Sequence, residues 1–348
     1  MSSLVRTLKA AAYRSGLLNL EHRRKNRQNL TVAMFHRILP AGDPRTPGAD
    51  PAWTLYEELF CEVLDFFGEH YSIVSPEAVL AFGEGEAALP ERPLLLTFDD
   101  GWADNAEVAA PRLTERGLRG LVFVVSDAVN RREAFWQERL IAAGRTGAFT
   151  AERTSELAEV SGLEADAMEG EAAARSLVRG LLDADAETLR RTLKSFTAWY
   201  GEVEGSLPAQ MLSEEQVREL DRGSLHIGSH GRTHTPLLGL PDAVDELRDS
   251  RDRLGELLGR PVTALSYPHG RYDEALAEET RKAGYLLIAT SDEHLNDFSS
   301  GALPTTLGRI DVPAHEISDA GGRLDSMRLA YWMFRRPARG PHAAEALR

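Results

Sequence analysis

The sequence predicts an α/β chain folded as a (β/α) barrel, complete or distorted, with a helical insertion between two barrel strands. Short apolar runs rich in β-branched residues recur along the 348 residues, helix-like segments separate them, and one long stretch, 131–222, lacks any convincing strand. Several runs are apolar along their whole length, which suits strands of a parallel sheet buried on both faces. About eight such strands in strand–helix alternation favour a barrel over the runner-up, an open doubly wound sheet.

The strand candidates are NLTVAMFH (29–36), YSIV (71–74), PLLLTFDD (93–100), LRGLVFVVS (118–126), SLHIGSH (224–230), VTALSYP (262–268), YLLIAT (285–290) and LGRIDV (307–312). Amphipathic helices are expected over 55–69, 104–116, 241–258 and 273–283. Within 131–222, FWQERLIAAG, EAAARSLVRGLLDA and ETLRRTLKSFTAWYG read as helices. Phe135, Trp136, Trp199 and Tyr200 there are expected to pack the insertion's own core, with sugar stacking as the alternative. The expected organisation is a basic amphipathic segment over 1–28, the barrel over 29–325, and a basic tail over 326–348. That tail either packs beside the N-terminal segment or stays mobile.

Composition excludes several classes. A formal net charge of −14 argues against binding nucleic acid through phosphate contacts. The single cysteine, Cys61, rules out an internal disulfide and a cysteine-based zinc site, and its apolar helical setting suits an inert core thiol. Charge is uneven: residues 1–28 carry seven basic side chains against Glu21 alone, a net +6. If residues 3–14 are helical, Leu4, Val5, Leu8, Ala11 and Ala12 share one face, with Arg6, Lys9 and Arg14 opposite. Two readings fit: peripheral contact with an anionic membrane, or a basic solvated helix packed on the domain. No apolar run reaches the ~20 residues of a membrane span, and no secretory signal is evident. The expected location is the cytoplasm, with the inner face of the membrane as a peripheral site.

The chemistry concentrates at strand ends, where parallel α/β folds place functional groups. The run LLLTFDDG drives an apolar strand into two adjacent carboxylates, Asp99 and Asp100. One aspartate capping the next helix explains one of them but not both. Neighbouring carboxylates raise each other's pKa unless a cation stands beside them, so a metal is expected. A second strand end, IGSHGRTHTPL, offers His230 and His234 at a spacing that suits one helical face or one tight turn. One Asp with two His leaves coordination positions open, as catalytic metal sites do.

TFDDG, then H-x3-H, then a strand ending in YPHG resembles the polysaccharide deacetylases of carbohydrate esterase family 4, and in particular bacterial exopolysaccharide deacetylases, over roughly residues 29–312. The resemblance implies a distorted (β/α) barrel and metal-dependent hydrolysis of N-acetyl, sometimes O-acetyl or N-formyl, groups on sugars. It implies Asp100, His230 and His234 as ligands of a divalent metal (Zn2+, with Co2+, Ni2+ or Mn2+ as alternatives), and Asp99 as the base that takes a proton from water. It aligns Ser266-Tyr267-Pro268-His269-Gly270 with the family's Arg-x-Pro-Tyr-Gly, so the backbone N–H of His269 is the expected oxyanion donor, with Tyr267 and Pro268 at the substrate. Ser266 stands where many members have an arginine that orients the base, and Arg309 is the candidate to replace it. No Leu-x-His lies near the C-terminus, and His294 and His315 lack that context. The run AMFHRI resembles the Tyr-His-Arg signature of the exopolysaccharide enzymes and nominates His36 as the acid, the alternative being a histidine that caps a strand end. Trp102 is expected either to wall the acetyl pocket or to pack the core. The expected partner is an N-acetylated glycan. Two alternative functions remain: a deformylase or deacetylase of a lipid-linked sugar, or a catalytically weak glycan-binding accessory protein.

Overall fold

In the computed structural model, which describes residues 3–164, 169–205 and 207–340, the eight expected strands are all present. Six pair in parallel in the order β1 (Asn29–Phe35), β2 (Pro93–Phe98), β3 (Gly120–Val124), β4 (Leu225–Ser229), β5 (Ala264–Ser266) and β6 (Leu287–Ala289). The run 307–312 closes the ring by splitting its partners. Leu307 bridges to Ala289 on β6, while β7 (Ile310–Asp311) pairs with β1. The remaining run shrinks to Ser72–Ile73, which lies along the first residues of β2, where β3 does not reach. This shared edge is the distortion of the barrel. β1 to β6 are buried throughout, as uninterrupted apolar runs require. Short strands at Arg37–Leu39, Thr54–Tyr56, Leu295–Asp297 and Ala338–Arg339 carry too little pattern to be read from sequence.

Helices cover the outside. Glu57–His70 buries Leu59, Phe60, Val63, Leu64, Phe66 and Phe67 at helical spacing, with Cys61 half-buried among them. The stretch expected as one helix over 104–116 begins as a π-helical turn, Asn105–Ala109, before Ala110–Glu115. Within 131–222 the helices Trp136–Arg145, Ala151–Ser161, Gly170–Leu182 and Ala186–Gly205 form the insertion. Their own core includes Leu140, Phe149, Leu177, Phe196 and Tyr200. The last helix of the stretch, Glu214–Arg222, opens with a capping box of Ser213 and Gln216 and packs Val217 and Leu220 into the barrel's core. It serves as the helix between β3 and β4, so the insertion ends before it.

The segment after 325 packs on the fold through one helix. The helix Ser326–Phe334 buries Leu329, Ala330, Met333 and Phe334. It packs beside the N-terminal helices Ser3–Arg14 and Leu17–Lys25, where His22 stacks on Phe334 at 3.9 Å. Residues 341–348 of the expected tail lie outside the described residues. No helix among the described residues is long and apolar enough to cross a membrane.

Candidate metal centre and active site

The ends of β1, β2, β4, β5 and β7 converge on one cavity of 540 Å³. At the end of β2 the Asp99 N–H donates to the Phe35 carbonyl at 2.9 Å, so the parallel ladder runs on into the first carboxylate. Asp100 and Gly101 then adopt left-handed backbone, φ 78° and 79°. Aspartate tolerates that region better than most residues, and a Cβ at Gly101 would stand 3.2 Å from Val124. The turn sends the two neighbouring carboxylates to different partners.

Asp99 meets Arg309 in a bidentate pair, Nη1 to Oδ1 at 2.6 Å and Nη2 to Oδ2 at 2.7 Å. Arg309 also donates to Ser266 Oγ at 2.8 Å and to the Thr290 carbonyl at 2.8 Å, and it is fully buried. Burial alone would raise the Asp99 pKa, but Arg309, with His230 and His36, holds it well below the usual carboxylate range. Arg309, just before β7, and Ser266, from β5, thus form a buried polar unit with the Asp99 carboxylate, where the Arg-x-Pro-Tyr-Gly pattern has one arginine.

Asp100 turns to the two histidines. Its Oδ1 lies 3.5 Å from His230 Nε2 and 3.3 Å from His234 Nε2, and the three donor atoms fall within 4.8 Å of one another. His230 Nδ1 donates to the Ser266 carbonyl at 2.9 Å, which leaves the Nε2 lone pair facing Asp100. Burial lowers the pKa of both imidazoles, so both are neutral, as metal ligands must be. Burial, reinforced by Asp99, pushes Asp100 up to about 6. A buried carboxylate and two buried neutral imidazoles aimed at one point fit a divalent cation.

His230 and His234 sit on a turn rather than a helix. His234 has φ 66° and Gly231 φ 74°. The loop between them hangs from Glu246, 3% exposed, whose carboxylate accepts from the Arg232 and Thr233 N–H groups and the Thr233 hydroxyl, each at 3.2 Å. Glu246 lies on a helix 12 residues beyond His234, and only the fold brings it here.

Trp102 is 1% exposed and donates its indole N–H to Asp100 Oδ2 at 2.8 Å. It therefore fixes the candidate ligand Asp100 as well as lining the cavity. Arg37 stacks over its ring at 4.3 Å and is held by Asp104 (3.1 Å) and Gln210 (3.0 Å). Tyr267 lines the cavity, and its hydroxyl donates to Thr280 Oγ1 at 2.9 Å. Pro268 is buried and packs toward Gly231, shaping the turn rather than lining the cavity. Of the two residues expected at the substrate, Tyr267 lines the cavity and Pro268 does not. His269, at φ 58°, stands at the cavity with its ring 4.7 Å from His234.

His36, just past β1, also lines the cavity. Its ring lies 4.6 Å from Trp53, and its Nδ1 is buried without a protein partner. Burial lowers its pKa, and the Asp100 and Asp99 carboxylates offset part of that.

Sequence reasoning missed the far wall. The insertion contributes Phe135, Glu138, Ile141 and Arg175 to the cavity. Phe135 lies 4.4 Å from the His234 ring rather than in the insertion's core, whereas Trp136, Trp199 and Tyr200 do pack there. Burial and the nearby Asp50 and Asp100 push Glu138 up to about 7. On the barrel side, burial and Glu293 push Asp311 up to about 7. Strand alternation could have found Asp311, which stands two residues beyond Arg309 and so on the same face.

The polysaccharide deacetylase family profile matches residues 86–288. The chain belongs to the polysaccharide deacetylase family. The polysaccharide deacetylase homologue YxkH of Bacillus subtilis (strain 168) is 22% identical over 302 residues, 86% of this chain and 77% of its own. Two solved structures share the fold: the deacetylase PplD of Streptococcus pyogenes in complex with acetate, and IcaB of Ammonifex degensii. Each gives a TM-score of 0.55 at 18% identity, over 88% of this chain and 99% and 97% of theirs. The distorted (β/α) barrel is thus the family's, and the enzyme is a polysaccharide deacetylase.

Proposed function

We propose that this deacetylase removes N-acetyl groups from an amino-sugar polysaccharide or oligosaccharide in a metal-dependent reaction. The observation that carries the reading is the division of labour between neighbours, with Asp99 locked to Arg309 and Asp100 aimed with His230 and His234 at one point. A divalent metal held by Asp100, His230 and His234, for which we propose Zn2+ with Co2+, Ni2+ or Mn2+ as alternatives, would polarise water and the acyl carbonyl. Asp99 takes the proton of the attacking water, and Arg309 and Ser266 keep its carboxylate ionised and oriented. Water oxygen bonds to the acyl carbon, and the backbone N–H of His269 stabilises the charge that develops on the carbonyl oxygen. The C–N bond then breaks, with His36 giving a proton to the leaving nitrogen. The products are acetate and a free amine. Burial works against the charged imidazole that this last step uses, and the Asp100 and Asp99 carboxylates offset part of that cost.

The intact ligand set and the paired base favour an active enzyme over a glycan-binding accessory. The test is acetate release from N-acetylglucosamine oligomers by the purified protein, after chelation and after Zn2+ is restored. Release that vanishes on chelation and returns with the metal supports the reading. Bound metal without acetate release moves the assignment to another acyl group or to a lipid-linked sugar. A protein that takes up no metal overturns the metal centre.

A further inference from the structure

The catalytic site leaves the N-terminal helices unexplained. Residues 1–28 carry a net +6 in a chain of net charge −14, and the two helices expose leucines. Seven large apolar side chains are exposed among the described residues, and three of them, Leu8 (61%), Leu17 (60%) and Leu20 (51%), fall within these two short helices. The helices are already docked, so this exposure belongs to their outer side. In the first, Tyr13 packs on the barrel's core and Lys9 lies over the Tyr331 ring at 4.9 Å, which turns Leu8 and Ala11 outward. In the second, Leu18 and His22 are buried, so Leu17, Leu20 and Arg24, at i, i+3 and i+7, share the opposite face. Arg14, Arg23 and Arg24 are exposed around these leucines. Part of the expected amphipathic face is corrected here, since Ala12 is half-buried and Lys9 is held against the fold rather than facing solvent.

A solvated basic helix has no use for outward leucines, and water penalises each of them. We infer that the helices Ser3–Arg14 and Leu17–Lys25 are a docking surface for an anionic lipid bilayer, with Leu8, Leu17 and Leu20 entering the interface and Arg14, Arg23 and Arg24 meeting acidic headgroups. Charge complementarity selects this occupant. The rest of the chain is strongly acidic and is repelled by an anionic surface, whereas residues 1–28 carry a net +6. Basic residues flanking exposed leucines on interfacial helices match the two-component affinity of a peripheral membrane contact, part apolar and part electrostatic. The contact keeps the enzyme on a surface without a spanning helix.

The full-length protein is sedimented with phosphatidylcholine vesicles, with and without a third of phosphatidylglycerol, at low and high salt. It is expected to bind the anionic vesicles only, and less at high salt. Two variants separate the components: Leu8→Gln with Leu17→Gln and Leu20→Gln, and Arg23→Glu with Arg24→Glu. Each is expected to lower vesicle affinity by about tenfold or more. All the changed side chains are exposed and remote from the cavity, so thermal unfolding and acetate release stay at parental values and report an intact fold. Failure of the full-length protein to bind anionic vesicles overturns the inference. So does parental binding by both variants. A dimer in solution that the leucine variant converts to monomer also overturns it, because the leucines would then face a second copy of the chain.

Discussion

The barrel rim and the helical insertion bound one cavity but are held by different means. On the rim, polar and charged groups meet buried partners: Asp99 meets Arg309, His230 meets the Ser266 carbonyl, and Asp104 meets Arg37. The insertion keeps its own apolar core and reaches the barrel through a few ties. Arg175 grips Asp50 at 2.8 and 3.0 Å, Gln210 accepts from Arg37, and the chain leaving the insertion pairs with the Asp-Asp-Gly turn through Trp102 and Met211. Reaction chemistry needs atoms held to about half an ångström, and strand ends supply that rigidity. A cavity wall needs only shape and charge, which a separately packed helical unit can supply without disturbing the ligands.

The rim should therefore fail sharply when broken. His230→Ala removes one of three donors, and metal content after dialysis is expected to fall to background together with acetate release. Asp99→Asn should keep its metal and lose turnover by about 10²–10⁴-fold. Full activity in Asp99→Asn would falsify the assignment of the base. Arg309→Met is expected to leave Asp99 buried without its partner, at a cost of about 3–5 kcal/mol in denaturant unfolding. A loss below about 1 kcal/mol, the scale of an exposed pair, would show that water reaches the carboxylate. Trp102→Phe keeps the ring but deletes the donor to Asp100 Oδ2. Metal affinity, measured by competition with a chelator, is expected to fall about 10–100-fold with the fold retained. Unchanged affinity would mean that the indole only fills space.

The same contrast explains what the sequence revealed. Barrel strands announce themselves because burial on both faces demands apolar runs such as LLLTF and LVFVV. Asp99, Asp100, His230 and His234 were legible because each pair is local in the chain and unusual at a strand end. Arg309 could be nominated but not placed, since its hold on Asp99 depends on Leu307 and β7 closing the ring beside β1. Glu246 was invisible, and Arg37 was part of the AMFHRI run but without a role, because they act through a loop and a tryptophan that only the fold brings to them. The insertion's helices were readable from periodicity, yet their cavity-facing side was not, because Phe135 and Glu138 look like any helix entrance.

Glu138 offers the finest test of the contrast, because it asks whether the insertion feels the rim's charges. Its carboxyl rises from 4.5 to about 7 through burial and the nearby Asp50 and Asp100. A raised carboxyl pKa means that the folded state holds its proton where the unfolded state has released it. Stability from this group is thus fully present below pH 4.5, falls as pH rises toward about 7, and is lost above that. In chelated protein, Glu138→Gln is expected to flatten this part of the Tm-against-pH curve and to leave Tm at low pH nearly unchanged. Asp311, raised from 3.8 to about 7 on the barrel side, titrates over an overlapping window. Asp311→Asn should remove its own share of the slope, and the double variant should remove both. If Glu138→Gln keeps the parental slope, the carboxyl is reaching solvent, and the insertion stands further from the metal centre than the rim requires.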